Sequence, residues 1–184
     1  EGEGDDSDEQ AFDFVATPIK AFDVSVYPTR SDYYVGDSLD VTGLELLLLG
    51  TDGSHEDLSA DDVTIDDVSL NEPGEVEVGV NYGNNKCSFT VVVHRIDLSY
   101  GYMYLGEYEY IYTGTPVCPK PVVMYDDATL VEGVDFELSY ENNDSSGYAT
   151  VIASGIGRYE GKLSYGYRIR KVVNAKSVSD LESE

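Results

Sequence analysis

The sequence lacks tryptophan, has only two histidines and two cysteines, and sets 11 lysines and arginines against 36 aspartates and glutamates. The formal net charge of −25 repels the phosphates of nucleic acids and of anionic membranes, so we expect neither as a partner. The longest apolar run, residues 44–50, is far shorter than the roughly 20 residues of a bilayer-spanning helix. No membrane insertion of this part of the chain is therefore predicted.

The few residues that commonly carry chemistry lack a catalytic context. His55 follows an Asp-Gly pair beside Glu56 and Asp57, and His94 lies near the middle of the chain. No glycine-framed serine or nucleophile elbow accompanies either histidine. We therefore predict that the chain is not an enzyme and that it uses no cofactor.

Short alternating apolar segments dominate the rest of the sequence. Residues 1–16 are acidic and show no apolar periodicity, which predicts a disordered leader. From residue 17 onward, apolar residues alternate in short runs that glycine, proline and Asp-Gly turns separate, and no useful helical period occurs. The clearest hairpin joins residues 76–82 to residues 87–93. The leucine-rich run at residues 44–50 is apolar on both faces, which predicts a central strand.

Two segments of similar length, residues 17–94 and 95–172, each contain about seven short strands. This number and spacing are typical of a β-sandwich. The predicted fold class is all-β: two tandem β-sandwiches, joined near His94 and Arg95 by a short linker, behind the acidic leader. Sandwiches without long loops leave little room for the paired carboxylates of a glycosidase cleft.

The first segment carries VSVYPTRSDYYVGDSLDVTGLELLLLGTDGS at residues 24–54 and closes with YGNNKCSFTVVV at residues 82–93. Through these motifs it resembles the bacterial immunoglobulin-like domains of the group-3 type. The second segment carries LVEGVDFELSYENN at residues 130–143 and GYATVIASGIGRYEG at residues 147–161. It resembles another immunoglobulin-like repeat of secreted and surface proteins of Gram-positive and gut bacteria. Residues 173–184 form a tail that resembles the start of a further repeat.

These resemblances imply that the fold is two tandem immunoglobulin-like β-sandwiches, and they imply a function without naming a ligand. They imply a non-enzymatic extracellular spacer or adhesion module of a bacterial surface or secreted protein, with neighbouring repeats of a longer chain as its partners. One alternative is a carbohydrate-binding accessory module of a secreted enzyme. Another is a protein-binding adhesin tip. Host or wall glycans and proteins are the ligands that these alternatives would take.

Six tyrosines between residues 99 and 114 form two triplets with a spacing of two: Tyr100, Tyr102, Tyr104, Tyr108, Tyr110 and Tyr112. The first two continue the phase of Ile96 and Leu98, which predicts that they face the core. The resemblance of the second segment implies that Tyr110 and Tyr112 lie where aromatic residues of that repeat close its sandwich. Tyr104 and Tyr108 remain as candidate ligand-binding residues.

Few residues could bind a metal ion or form a disulfide. Asn142, Asn143 and Asp144 supply oxygen atoms close together and are the candidate calcium ligands, although the spacing of a calcium loop is missing and a solvated turn is the alternative. Cys87 shares the phase of a buried strand face, whereas Cys118 is expected near the surface. No disulfide between them is predicted.

Overall fold

The computed structural model describes residues 18–172. Within this range the chain consists of strands and turns with two three-residue 3-10 turns and no α-helix, which confirms the predicted all-β class. No helix in the same range has the length and apolar character that a bilayer crossing requires. The predicted acidic leader and the C-terminal tail lie outside the described residues.

The first seven strands form two sheets. They are β1 (Ile19–Val26), β2 (Asp32–Tyr34), β3 (Glu45–Gly50), β4 (His55–Ser59), β5 (Thr64–Ile65), β6 (Gly74–Tyr82) and β7 (Asn85–His94). One sheet has the order β1-β3-β4 and the other the order β2-β7-β6-β5. The leucine-rich β3 lies between β1 and β4, and β6 lies beside β7, so the predicted central strand and the predicted hairpin are both confirmed.

Local turn chemistry explains why β3 and β4 pair. The predicted Asp-Gly turn joins them, and Gly53 has a φ of +87°, a conformation that glycine adopts without a steric penalty. The backbone N–H and the hydroxyl of Ser54 both donate to the carboxylate of Asp52, at 2.9 and 2.6 Å. This local capping fixes the turn and thereby the register of the two strands.

The remaining strands form two further sheets and one isolated pair. They are β8 (Ile96–Asp97), β9 (Tyr102–Tyr104), β10 (Glu109–Tyr112), β11 (Val122–Tyr125), β12 (Ala128–Thr129), β13 (Phe136–Glu141), β14 (Gly147–Gly155), β15 (Tyr159–Glu160) and β16 (Lys162–Lys171). The sheets have the orders β9-β11-β12 and β10-β16-β14-β13, and β8 pairs with β15.

One chain path is used twice. Strands β1 to β7 correspond, in chain order, to β9, β10, β11, β12, β13, β14 and β16, and both sets build a three-stranded and a four-stranded sheet with the same strand orders. In each set the second strand does not join the sheet that contains the first strand. It pairs in parallel with the last strand of the set instead. Asp32–Tyr34 thus lies along residues 92–94, and Glu109–Tyr112 lies along residues 168–171.

The chain packs into two compact units that are not contiguous in sequence. The first comprises the described residues 18–31 together with Leu39–Val68 and Glu75–Val91. Its interior holds apolar side chains from both of its sheets: Leu44, Leu46, Leu58, Val78, Val80, Phe89 and Val91. The rings of Phe22 on β1 and Tyr82 on β6 lie 6.1 Å apart. The two sheets of this unit therefore face each other across an apolar layer.

The second unit comprises Asp32–Ser38, Ser69–Gly74 and residues 92–172. It contains two apolar clusters. The buried members are Leu98, Val123, Leu130, Phe136, Ala153 and Tyr159 in one, and Leu105, Ala149, Val151, Tyr167 and Ile169 in the other. Both clusters draw on strands of the three-stranded and the four-stranded sheet, so this unit is also layered. The alternation predicted for β13, β14 and β16 is confirmed by their burial patterns.

Arg158 secures one segment of the second unit. Its guanidinium donates to the backbone oxygen of Val35 and to the carboxylate of Asp37, each at 2.8 Å, and lies 6.0 Å from the ring centre of Tyr34. Arg158 directly precedes β15. Arg158 therefore holds Val35 and Asp37 through two hydrogen bonds.

Candidate functional site

A short turn separates the first tyrosines from the core. Leu98–Tyr100 is a 3-10 turn, and the Asp97 carboxylate that caps it accepts the backbone N–H of Ser99 at 2.9 Å. The same hydrogen bonding holds the pKa of Asp97 below its usual value. Leu98 is fully buried but Tyr100 is 79% exposed, so the prediction that Tyr100 faces the core is wrong. The turn breaks the alternation on which that prediction rested.

Strand β9 presents two tyrosines on one outward face. Tyr102 and Tyr104 are exposed, whereas Met103 between them packs against the apolar clusters. The prediction that Tyr102 faces the core is therefore also wrong. Across the sheet, Tyr102 lies opposite Met124 and Tyr104 opposite Val122. The outer face of this sheet consequently carries two rings beside two half-buried apolar side chains.

The second triplet divides between solvent and core. Tyr108 is exposed and precedes β10, whereas Tyr110 and Tyr112 are half-buried against the second apolar cluster. The ring of Tyr110 meets that of Tyr167 edge-on, with centres 5.5 Å apart. The predicted core positions of Tyr110 and Tyr112 are confirmed. Tyr104 and Tyr108 are both exposed, but they adjoin strands of different sheets, and their role in binding stays a prediction.

Other tyrosines are structural. The hydroxyl of the fully buried Tyr167 donates to the backbone oxygen of Val117 at 2.6 Å, and the Tyr140 hydroxyl donates to that of Pro119 at 2.9 Å. Burial raises the pKa of Tyr167 to about 12 and also raises the pKa of Tyr140. Both hydroxyls fasten the strand-free segment that leads into β11.

One of the candidate calcium ligands, Asn143, forms hydrogen bonds to the same strand-free segment before β11. Asn142 has a φ of +55°, the left-handed conformation that asparagine tolerates in turns. The backbone oxygen of Asn143 accepts the N–H of Val117 at 2.8 Å, and its side-chain amide lies 3.3 Å from the Val117 oxygen and 3.2 Å from Cys118 Sγ. Asn143 therefore has a structural task. Calcium binding by Asn142, Asn143 and Asp144 stays a prediction.

The histidines and cysteines occupy separate places. His55 starts β4 on the surface, and the ring of His94 lies 3.1 Å from the carboxylate of Asp32. Cys87 is half-buried, with its pKa raised by burial, and Cys118 is exposed; both are free thiols. Over residues 18–172, no three His, Cys, Asp or Glu side chains converge in a way that could hold a metal ion.

A basic depression lies on the outer face of the sheet β10-β16-β14-β13. It has a volume of about 550 Å³, and its described lining residues are Ser146, Gly147, Tyr148, Arg168, Ile169, Arg170 and Lys171. Three of these residues are cationic and none is acidic. The Tyr148 ring is 69% exposed, and the Arg168 guanidinium lies 5.9 Å from its centre. Cations and an aromatic ring therefore share one surface.

Sequence reasoning missed this depression. The available indication was RIRK at residues 168–171, which places three of the chain's 11 basic residues within four positions. Strand alternation puts Arg168 and Arg170 on the same face. Their neighbour Tyr148 follows only from the register of β14 against β16, in which it lies opposite Arg168.

Comparison with a curated bacterial protein gives a partial match. The chain is 25% identical over 126 residues to "Pectate lyase L" of Thermoclostridium stercorarium. The match covers 68% of this chain but 9% of that protein, so the chain corresponds to a small part of the relative.

A protein-family comparison concerns the first set of strands. Its matched residues begin at the last residue of β1 and finish within β7, so they contain β2 to β6 and nearly all of β7. This confirms the resemblance predicted from residues 24–54 and 82–93, while the resemblance of the second segment stays a prediction. Residues 26–93 match the family of bacterial Ig-like domains (group 3).

Proposed function

We propose that this chain is a non-catalytic, extracellular spacer module of a bacterial surface or secreted protein. It consists of two tandem immunoglobulin-like repeats, residues 17–94 and 95–172, and its partners are the neighbouring parts of a longer polypeptide. The observation that carries the proposal is the repeated chain path, in which the same strand order occurs twice in succession. Repetition of one folded unit is the simplest way to add length.

The pairing of the last strand suits a chain that is pulled from its ends. In the second set, β10 runs parallel to β16, with Glu109 opposite Arg168 and Tyr112 opposite Lys171. Pulling the chain before β10 and after β16 slides these strands along each other. The hydrogen bonds between them are then loaded together instead of one after another. A spacer under tension gains resistance from this geometry.

Surface display tests the spacing function. One, two or three copies of the whole chain are placed between a wall anchor and an epitope on a bacterial cell, and antibody access to the epitope is measured. We expect access to rise with copy number and to exceed that given by unstructured Gly-Ser linkers with the same number of residues. Equal access with the matched linkers would refute a spacing role for the folded repeats.

A second candidate function, a carbohydrate-binding accessory module, is favoured by the outward rings of Tyr102 and Tyr104 on β9. Exposed rings two positions apart on one strand can pack against sugar rings. The similarity to part of a protein named pectate lyase is compatible with a place beside a carbohydrate-active enzyme. The spacer and the accessory module share the same non-catalytic setting.

Nuclear magnetic resonance distinguishes the two candidates. Neutral plant and wall polysaccharides are added to the chain, and the ring signals of the exposed tyrosines are followed. An accessory module predicts shifts at Tyr102 and Tyr104 in the parent chain and a loss of polysaccharide binding in the double variant Tyr102→Ala/Tyr104→Ala. The exposed Tyr27, replaced by alanine, is the matched control. Ring signals that do not change with any polysaccharide would exclude this second function for the β9 face.

A further inference from the structure

We propose that the basic depression beside Tyr148 binds acidic oligosaccharides, with uronic acids as the ligand. This activity is independent of the spacer role and of the β9 face. It uses a depression on a different sheet, which Arg168, Arg170, Lys171 and Tyr148 line and in which the Arg168 guanidinium lies over the exposed Tyr148 ring. The depression combines the two groups that a uronic acid needs: cations for its carboxylate and an aromatic surface for its ring.

The arginines are already arranged to bind a carboxylate. Glu109 on β10 places one oxygen 3.5 Å from Arg168 and the other 3.0 Å from Arg170. Arginine recognises carboxylates through its planar fork of N–H donors. The Glu109 carboxylate therefore shows how the two guanidiniums bind an anion. The same carboxylate competes with the carboxylate of any ligand.

The aromatic ring favours a sugar over other anions. Tyr148 on β14 lies opposite Arg168, and its face carries partial negative charge that attracts both the guanidinium and the C–H groups of a sugar ring. Arg168 and Arg170 are two positions apart on β16, which separates them by about 7 Å along the strand. Consecutive carboxylates of a uronic acid chain can therefore be met by different cations.

The charge of the whole chain sets limits on the ligand. At physiological ionic strength the screening length is about 8 Å, so charges beyond the depression contribute little to a short ligand. A DNA duplex carries one negative charge per roughly 1.7 Å of its axis and extends past three cations onto an acidic surface. A uronic acid chain carries one charge per sugar and meets less repulsion. Another depression, lined by Asp66, Glu77 and Lys86, lacks this cationic character.

Titration with oligogalacturonate, a short chain of uronic acids, tests the proposal by calorimetry. We expect binding by the whole chain that weakens as salt rises and that the neutral oligomers of dextran do not show. Arg168→Gln/Arg170→Gln should lower the affinity about tenfold or more, and Tyr148→Ala should lower it about threefold. Lys20→Gln/Lys86→Gln, which removes the same charge from exposed positions, should leave it unchanged.

Glu109→Gln gives the sharpest variant, because it should increase the affinity. Loss of the competing carboxylate frees both guanidiniums, and we expect about two- to fivefold tighter binding. A merely unfolded or damaged variant could not bind more tightly. Absence of oligogalacturonate binding, an unchanged affinity in the arginine variant, or equally tight binding of single-stranded DNA would each overturn the proposal.

Discussion

The hydroxyl of Tyr167 donates a 2.6 Å hydrogen bond to the backbone oxygen of Val117, and the Tyr167 side chain is completely buried. Val117 belongs to the strand-free segment between β10 and β11, whereas Tyr167 belongs to β16. The bond satisfies a polar group that burial would otherwise leave without a partner. It also ties the end of the chain path to its middle.

Tyr167→Phe should reduce the free energy of unfolding by about 1 kcal/mol, because it removes this hydrogen bond while it keeps the ring. The loss is moderate because the amide of Asn143 also lies within 3.3 Å of the Val117 oxygen. Urea denaturation measures the change. Tyr148→Phe, at an exposed position of the same sheet, is the control and should change stability by less than about 0.5 kcal/mol. Equal effects in both variants would contradict the structural role of Tyr167.

Stability should fall in alkaline solution. Burial raises the pKa of Tyr167 from 10.0 to about 12, and the pKa of Tyr110, Tyr140 and Tyr159 is also raised by burial. The folded chain therefore holds these protons more tightly than the unfolded chain, so their contribution is complete below pH 10 and is lost as pH rises toward 12. Denaturation midpoints across this window measure the loss. Tyr167→Phe should reduce the slope, and a slope identical to that of the parent chain would contradict the assignment.

Arg158→Ala should destabilise the second unit by about 1 kcal/mol or more, because it removes the hydrogen bonds to Val35 and Asp37. The effect is limited by the partial exposure of the guanidinium. Arg158→Lys keeps the charge but cannot make both bonds, so it should recover only part of the loss. Thermal unfolding of the three proteins measures this order, and full recovery by lysine would show that charge alone matters.

Strand alternation predicted most of the fold. The hairpin of β6 and β7, the central β3 and the buried faces of β14 and β16 all follow from apolar residues with a period of two. These patterns predict strands reliably because one face of each strand is buried in the core and therefore has to be apolar. The repeated strand order could not be predicted in the same way, since it depends on contacts between residues far apart in sequence.

The tyrosines show where alternation fails. Alternation that continues from Ile96 and Leu98 predicts core positions for Tyr100 and Tyr102. The Asp97 cap and Gly101 interrupt that phase; a side chain at Gly101 would approach the backbone oxygen of Met124 to 2.6 Å. An aspartate two residues before a serine and four before a glycine was the available indication of this turn. Prediction of the basic depression requires the register between β14 and β16, which sequence spacing alone does not supply.

Pulling single molecules along two directions tests the mechanical account most directly. With Cys87 and Cys118 replaced by serine, cysteine pairs are introduced at Gly106 and Val172 or at Thr115 and Val172. The first pair loads β10 and β16 lengthwise, because its attachment points lie before one strand and after the other. The second pair holds both strands at the same end and peels them apart. The account predicts a higher unfolding force for the first pair, and equal forces for both pairs would contradict it.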